Sequence, residues 1–290
     1  MLGLVLSGGG VYGFLHVGVL QGLAELGIVP DFAVGTSAGA LVAGLWAAGY
    51  DPDRLVAMAR TLETGDLPID WRHISHQLVR RRRLPDHLVS VEPLMAKVAP
   101  WVEGLTVRTL PRRCWITATS LTRRRGVVFG PPLAPAGPPM AVEAWPEDVP
   151  LATAIRASIA VPGLFRPVRV GGEWLVDGGV VDDYPVDVAV FAGATRLIGV
   201  MIEDRAAEWT AAETPDLFTT ALKSLTLMLE DAAGTRRELV ARTFGVRAVE
   251  LRLAVEGQGL IDFRQRDQLI ALGLEATRAR ADALRRLAAA

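Results

Sequence analysis

The sequence predicts an α/β protein in which helices cover both faces of a mostly parallel sheet, a three-layer α/β/α fold. Short apolar runs alternate with helical patterns from the start of the chain, which favours βαβ units. Half of the 290 residues are apolar, enough for a sizeable hydrophobic core. The single cysteine, Cys114, cannot form an internal disulfide, and its apolar surroundings in CWITATSL predict a buried strand thiol.

The first elements follow in a regular order. An apolar strand over residues 2–6 precedes a helical pattern at Tyr12–Leu26, and a second strand, DFAV, precedes the helical run ALVAGLWAAG. A further helix is expected to begin at Asp51, whose side chain can cap it, with Pro52 in its first turn.

The later elements are less regular. Strands are expected in CWITATSL, VVF, TRLIGVMI and VRAVELRL. The segment VRVGGEWLV predicts a hairpin with Gly171-Gly172 in its turn, and helical patterns occupy about 215–243 and 265–288. We expect one domain over residues 1–290, in which the irregular stretches 64–110 and 130–150 are lid or pocket-shaping insertions. The second stretch is too rich in proline for a packed element.

Charge and hydropathy limit the partners. Lysine and arginine number 31 against 32 acidic residues, which argues against nucleic acid. Met1 leads directly into an apolar run without a basic leader, and no run of 18 apolar residues follows. We therefore expect a cytoplasmic protein without a membrane span. The run Arg80–Arg83 is most simply a solvated face, but its flanks, Trp71 and Leu84, leave open peripheral contact with an anionic inner membrane surface.

The first strand is followed by SGGGVYG, which has G-x-G-x-x-G spacing through Gly8, Gly10 and Gly13. This spacing is typical of dinucleotide binding, and another backbone anion trap would also need it. A dinucleotide site needs an acidic residue about 20 positions further on, at the end of the second strand. That strand ends in VGTSAG without a carboxylate, and Asp31 precedes it. The glycines are therefore better interpreted as amide donors to an oxyanion.

The second strand is followed by G-x-S-x-G at Gly35, Ser37 and Gly39, with a helical run after it. A strand, a sharp turn and a helix are the context that a nucleophile elbow requires. The glycines allow backbone to approach closely on both sides of the serine, where a Cβ would clash. Ser37 is therefore a candidate nucleophile at a helix N-terminus, whose dipole favours developing negative charge.

A serine nucleophile needs a base, and no histidine late in the chain can supply one. The α/β-hydrolase order places its histidine after the acid, but every histidine here precedes residue 88: His16, His73, His76 and His87. The alternative is a carboxylate. Asp177 follows the apolar run WLV and precedes Gly178 and Gly179, so it lies at a strand end where the backbone can turn tightly.

Three motifs in this order, SGGGVYGFLHVGVL, GTSAGA and DGGVVDDYPV, resemble the patatin-like phospholipase family, whose members use a Ser-Asp dyad without histidine. The segments AIRASIAVPGLFRPV and GLIDFRQRDQLIALGLEA are similar to further parts of its members. The resemblance covers residues 1–60 and about 150–275. It implies Ser37 as nucleophile, Asp177 as its base, and the amides of Gly8, Gly9 and Gly10 as the oxyanion hole, without resolving which of them donate.

The resemblance is incomplete in two places. Tyr12 stands where the family often carries arginine, which leaves the substrate's charge preference open, and residues 64–150 match the family poorly. His16, common at this place in relatives, is better explained by helix packing than by catalysis.

The expected function is hydrolysis of lipid carboxylic esters, of phospholipase A or lysophospholipase type, through an acyl-enzyme. The expected partner is a lipid or acyl ester, and no cofactor is expected. No cluster with metal-ligand spacing is apparent in the sequence, so no metal requirement is expected either. Two other classes remain open at this stage: a catalytically silent lipid-binding or regulatory protein on the same scaffold, and a nucleotide-binding oxidoreductase.

Overall fold

The computed structural model describes residues 1–82, 84–133, 142–204, 245–255 and 262–290, with isolated positions between 220 and 238. The helix predicted over 215–243 therefore lies outside the described residues, apart from those positions. Arg83 and the centre of the predicted loop 130–150 lie outside them as well.

A mixed sheet forms the centre of the molecule. Its described strands are β1 Leu2–Leu6, β2 Phe32–Gly35, β3 Arg113–Ser120, β4 Arg125–Phe129, β5 Val142–Ala144, β6 Val168–Val170, β7 Glu173–Asp177, β8 Arg196–Asp204 and β9 Arg247–Val255. Their order across the sheet is β5-β4-β3-β2-β1-β8-β9. Strands β3, β2, β1, β8 and β9 are mutually parallel. The hairpin β6–β7, with Gly171 and Gly172 at positive φ in its turn, is confirmed.

One strand joins the sheet in an unusual way. β2 pairs parallel with the first half of β3, up to Gly35 opposite Ile116. β7 then continues along the same edge of β3 in the opposite direction, with Asp177 opposite Ala118. The carboxyl ends of β2 and β7 therefore meet head to head beside the middle of β3.

Helices flank the sheet, and their described bounds are α1 Phe14–Glu25, α2 Ala38–Ala47, α3 Pro52–Thr61, α4 Trp71–Ser75, α5 Glu92–Val98, α6 Leu151–Ser158, α7 Gly179–Asp182, α8 Val186–Phe191, α9 Arg266–Ala279 and α10 Ala281–Ala289. The chain makes π-helical turns over His76–Arg81 directly after α4. Asp51 caps α3 by accepting a hydrogen bond from the Arg54 amide (2.8 Å), as its sequence predicts.

Apolar side chains are buried on both faces of the sheet, which confirms the three-layer arrangement. The larger cluster joins the sheet to α1, α2, α3, α5, α6 and α9, and the smaller one packs α8 residues against Phe32 and Trp115 on the other face. Cys114 is a buried strand thiol, as predicted, and burial raises its pKa to about 12.

Two expectations about elements were wrong. The single helix expected over 265–288 is divided at Arg280 into α9 and α10. The proline-rich stretch 130–150 contains a short packed strand, β5, which pairs with β4, because three residues of extended chain between prolines suffice for one ladder. Among the described residues, no helix is long and apolar enough to span a membrane.

Candidate active site

Ser37 lies in the sharp turn between β2 and α2. Its backbone has φ +52° and ψ −121°, a conformation that L-residues rarely adopt and that is commonly stored at functional sites. A Cβ on Gly39 would lie 2.4 Å from the Leu6 carbonyl oxygen, and one on Gly35 would lie 2.5 Å from the Gly39 oxygen. The turn therefore requires glycine on both sides of the serine, for the steric reason that the motif predicts.

Asp177 lies at the carboxyl end of β7 and faces Ser37. The Ser37 hydroxyl donates a hydrogen bond of 2.7 Å to Asp177 Oδ2, and the Gly179 amide donates one of 2.8 Å to Oδ1. A Cβ on Gly178 would lie 2.4 Å from the Thr117 hydroxyl, so the turn after Asp177 packs directly on β3. The head-to-head meeting of β2 and β7 brings the serine and the aspartate together across 140 residues of sequence.

The environment of Asp177 changes its acidity. The residue is buried, and burial raises the pKa of its carboxyl group from 3.8 to about 7. The hydrogen bonds from Ser37 and Gly179 lower it, and the negative charge of Asp183 raises it further. A carboxylate with a pKa near neutral pH is suited to accept a proton and return it.

The glycine run after β1 passes over the serine. A Cβ on Gly8 would lie 3.4 Å from Ser37 Cβ, so the backbone of this loop lies close to the serine. The Gly8 amide already donates to the Asp183 carbonyl oxygen (3.1 Å). Within the described part of the chain, the amides of Gly9 and Gly10 donate to no protein group, and both glycines have positive φ. Gly13 packs against Ala38, where a Cβ would lie 2.6 Å from the alanine Cβ.

Buried polar groups that the sequence did not single out support these loops. Ser158 accepts a hydrogen bond from the Ser37 amide (2.8 Å), and the Ser7 hydroxyl accepts one from the Ile202 amide (3.0 Å). Ser158 lies within the segment AIRASIAVPGLFRPV. The similarity of this segment to patatin-like family members is the sequence feature that could have indicated its role.

His16 packs within α1 and donates from Nε2 to the Ser7 carbonyl oxygen (2.9 Å), directly before the glycine run. Burial lowers its pKa to about 4, so it is neutral at physiological pH. This bond fixes the backbone directly after β1. Among the described residues, the His16 ring makes no hydrogen bond to Ser37 or Asp177.

A cavity of about 270 Å³ opens beside the serine and the aspartate. Gly8, Gly9 and Gly10 lie in its wall together with Ser37 and Asp177. The remaining wall is largely apolar and includes Val11, Tyr12, Leu41, Leu45, Met58, Leu62, Leu67, Leu94, Trp101, Ile159, Leu164 and Phe165. Tyr12 is buried in this wall, so an uncharged ring occupies the position where relatives often carry arginine.

A second cluster joins residues 70–87 to the wall of the cavity. Asp86 Oδ1 accepts hydrogen bonds from His73 Nε2 (2.7 Å) and His87 Nδ1 (2.8 Å), and the two rings stack with their centroids 4.2 Å apart. His73, Asp86 and His87 each offer one atom that could ligate a metal ion, and these three atoms lie within 4.8 Å of one another. The spacing of the residues in the sequence did not indicate this proximity. The Arg166 guanidinium lies 3.6 Å from Asp86, so it already supplies the positive charge that a metal ion would bring.

The geometry defines an α/β protein with a serine elbow and a buried aspartate at the carboxyl edge of parallel strands. The sequence profile of the patatin-like phospholipase family matches residues 4–190. The chain belongs to this family, whose members are lipid hydrolases.

Individual relatives agree with the family. An uncharacterised NTE family protein of Mycobacterium tuberculosis is 33% identical over 193 residues, which cover 64% of this chain and 28% of the relative. A lysophospholipase of Yarrowia lipolytica is 28% identical over 69% of this chain and 12% of its own length. The chain thus spans about a quarter of the mycobacterial relative. The crystal structure of VipD from Legionella pneumophila shares the fold, with a TM-score of 0.50 and 16% identity over 97% of this chain and 66% of that one.

Proposed function

We propose that the chain is a lipid acyl hydrolase of phospholipase A or lysophospholipase type that cleaves carboxylic esters through Ser37 and Asp177. The observation that carries the proposal is the 2.7 Å hydrogen bond from the Ser37 hydroxyl to a buried aspartate whose pKa is about 7. Membership of a family of lipid hydrolases supports it.

In the first step, the Ser37 hydroxyl oxygen attacks the ester carbonyl carbon while its proton passes to Asp177 Oδ2. A C–O bond forms, and the carbonyl electron pair moves onto the oxygen of the tetrahedral intermediate. The dipole of α2, which begins at Ala38 directly after the serine, favours this developing charge.

In the second step, the intermediate collapses. The bond from carbon to the leaving alcohol breaks, and the alcohol takes the proton from Asp177, which leaves an acyl group on Ser37. Water then attacks this acyl-enzyme and gives its proton to the same aspartate. Collapse of the second intermediate releases the fatty acid and returns the proton to Ser37.

The oxyanion hole is proposed to consist of the Gly9 and Gly10 amides. The family resemblance implies Gly8, Gly9 and Gly10 without resolving which amides donate. The Gly8 amide is engaged by the Asp183 carbonyl oxygen, which favours the other two. Gly9 and Gly10 line the cavity beside Ser37, and their amides donate to no group among the described residues. Both glycines have positive φ, a backbone conformation that other residues adopt only with strain, and this conformation orients the two successive amides.

The acyl chain of the substrate is proposed to occupy the apolar cavity. Its wall includes Leu67, Leu94 and Trp101, all from the stretch 64–110, which supports the expectation that this stretch shapes a pocket. We propose that residues 1–290 form one domain, in which 64–110 and 130–150 are lid or pocket-shaping insertions. A cytoplasmic location is also proposed, since a reducing compartment fits a sequence whose single cysteine, Cys114, is a buried thiol.

The test compares Ser37→Ala with Ser75→Ala, since Ser75 is an exposed serine that does not line the cavity. Hydrolysis of p-nitrophenyl butyrate and of lysophosphatidylcholine is expected to fall roughly 10⁴-fold or more in Ser37→Ala and to stay unchanged in Ser75→Ala. Thermal unfolding verifies that both variants fold.

A fluorophosphonate probe adds a second readout, because only an activated serine reacts with it. The wild type and Ser75→Ala should be labelled, and Ser37→Ala should not. Turnover by pure Ser37→Ala at the wild-type rate would overturn the mechanism. An unlabelled, inactive wild type that still binds lipid would instead identify a catalytically silent lipid-binding protein.

A further inference from the structure

The chain exposes an unusual concentration of large apolar side chains next to the cavity. Five of the twelve large apolar side chains that are exposed among the described residues lie between positions 69 and 84, each 48% to 86% exposed. They are Ile69, Trp71, Leu78, Val79 and Leu84. Such a cluster on a globular protein marks an interaction site more often than isolated exposed apolar residues do.

Arginines are interleaved with these apolar side chains. Arg72, Arg80, Arg81 and Arg82 are all exposed, and none has an ion-pair partner among the described residues. The sequence contains no acidic residue between Asp70 and Asp86. We call these four arginines and the five apolar residues above the apolar–arginine surface. No described residue compensates its four positive charges with an ion pair, so the surface suits a negatively charged partner.

The apolar–arginine surface is attached to the wall of the cavity at both ends. Leu67, just before it, lines the cavity. Just after it, the Leu88 and Val89 amides both donate to the carbonyl oxygen of Leu164, another residue of the cavity wall (3.1 and 2.9 Å). The cluster of His73, Asp86 and His87 fastens the same stretch to Arg166. Whatever covers this surface is therefore held beside the site of Ser37.

The mixture of side chains distinguishes between two kinds of partner. The buried centre of a protein interface is depleted in charge, whereas four arginines here alternate with the exposed apolar groups. The boundary of an anionic bilayer accepts both kinds at once: tryptophan and aliphatic groups enter the acyl region, while arginine reaches the phosphate groups. Charge complementarity therefore favours a lipid surface over a second protein.

We propose that the apolar–arginine surface docks the protein on an anionic lipid bilayer and directs the cavity toward it. This deepens the proposed function and rests on it for the substrate, which becomes a lipid drawn from a negatively charged membrane. Docking does not require Ser37, so binding and hydrolysis are separable.

The experiment is sedimentation of the full chain with vesicles of phosphatidylcholine alone or with added phosphatidylserine. The wild type should bind the anionic vesicles more tightly. Replacing the four surface arginines by glutamine should weaken this binding at least roughly tenfold, since each arginine near an anionic surface contributes to affinity. The matched control removes the same charge from four exposed arginines elsewhere: Arg54, Arg280, Arg285 and Arg286.

A second variant, Trp71→Ser with Val79→Ser, tests the apolar part and should also weaken binding to anionic vesicles. Equal losses in the surface variant and the control variant would overturn the proposal, because total charge would then explain them. Unchanged binding in both surface variants would overturn it too. Self-association of the wild type that the serine variant abolishes, with vesicle binding intact, would assign this surface to a second copy of the chain.

Hydrolysis of p-nitrophenyl butyrate in the absence of vesicles separates this proposal from the proposed function. All the surface variants should keep wild-type activity on this soluble ester and lose activity on vesicle lipids. A wild type that binds anionic vesicles but hydrolyses no ester would refute the proposed function and leave the docking surface intact. Soluble-ester activity with no preference for anionic vesicles would do the reverse.

Discussion

The turn that holds Ser37 and the apolar–arginine surface lie close to the same cavity, but they are built in opposite ways. Around Ser37, backbone atoms approach so closely that Cβ atoms on Gly35 or Gly39 would overlap carbonyl groups. Around Trp71 and Val79, the side chains extend into solvent. The Ser37 turn is packed closely against other parts of the protein, whereas the side chains of the apolar–arginine surface are exposed to solvent.

This difference has a physical consequence for mutation. A substitution in the buried region changes stability or chemistry, because every atom there has a neighbour that must move. A substitution on the exposed surface leaves the folded chain almost unchanged and alters only the interaction with a partner. Paired variants, one from each region, can therefore test whether the comparison holds.

Among the paired variants, the largest effect is expected for Asp177→Asn. Asparagine keeps the shape of the side chain but cannot accept the Ser37 proton, so kcat/KM for p-nitrophenyl butyrate should fall roughly 10²- to 10⁴-fold. The matched variant in the other region is Asp70→Asn, which removes a carboxylate beside His87 and should leave soluble-ester activity unchanged. Equal losses in the two variants would break the comparison.

A methyl group added to glycine should distinguish the regions next. In Gly39→Ala the Cβ would lie 2.4 Å from the Leu6 carbonyl oxygen and 2.5 Å from the Ser7 carbonyl oxygen. This overlap should lower the free energy of unfolding by roughly 3 kcal/mol. Gly65 has no atom within 4 Å of an added Cβ, so Gly65→Ala should be neutral or stabilising by up to about 1 kcal/mol. Urea unfolding of both variants measures the difference.

Activity should depend on pH through Asp177. Only the ionised carboxylate accepts the serine proton, so kcat/KM should rise with pH, reach half its maximum near the pKa of about 7, and then level off. At about pH 5 it should be roughly a hundredfold lower. His16 is neutral throughout this range, since its pKa is about 4. Replacing the exposed His76 by glutamine should leave the profile unchanged; a profile that moved with it would argue against Asp177.

Stability should show the opposite pH dependence. Because burial raises the pKa of Asp177, the native state keeps a proton that the unfolded chain releases between about pH 4 and 7. This contribution to stability is complete below about pH 4 and is lost as the pH rises through about 7. Asp177→Asn does not titrate, so it should be equal in stability to the wild type near pH 4 and more stable at about pH 8 and above, by on the order of 4 kcal/mol.

The smallest effect is expected for a change at Asp86, in the cluster with His73 and His87 that connects the apolar–arginine surface to the wall of the cavity. Burial works to raise the pKa of Asp86, but hydrogen bonds from His87 and His73 outweigh it and hold the pKa below its ordinary value. Asp86→Asn weakens these bonds and should cost about 1 kcal/mol of stability. Trypsin should then cleave faster after the exposed arginines. Asp53→Asn, which alters one exposed hydrogen bond to Gln21, is the control; equal cleavage rates would show that the cluster does not restrain the surface.

The serine elbow was predictable because its requirement is local. Gly35, Ser37 and Gly39 lie within five residues, and the steric need for glycine on both sides of a sharp strand-to-helix turn follows from that spacing. The cap at Asp51 and the hairpin turn at Gly171 were predictable for the same reason, since hydrogen bonding and φ are set within a few residues.

Other features depended on residues far apart in the chain. The sequence nominated Asp177 by its turn, but its contact with Ser37 exists because β2 and β7 share one edge of β3. No sequence pattern predicts the hydrogen bond from the Gly8 amide to Asp183 or the stacking of His73 on His87.

The amino-acid sequence thus specified the fold class, the turn of the candidate nucleophile and the candidate base, since periodicity and short-range sterics depend on neighbouring residues. The folded arrangement selected which glycine amides stay available, raised the pKa of Asp177 by burying it, and left Trp71 and Val79 outside the core. Burial and exposure depend on what packs from elsewhere in the chain, and an irregular segment has no periodicity from which they can be inferred.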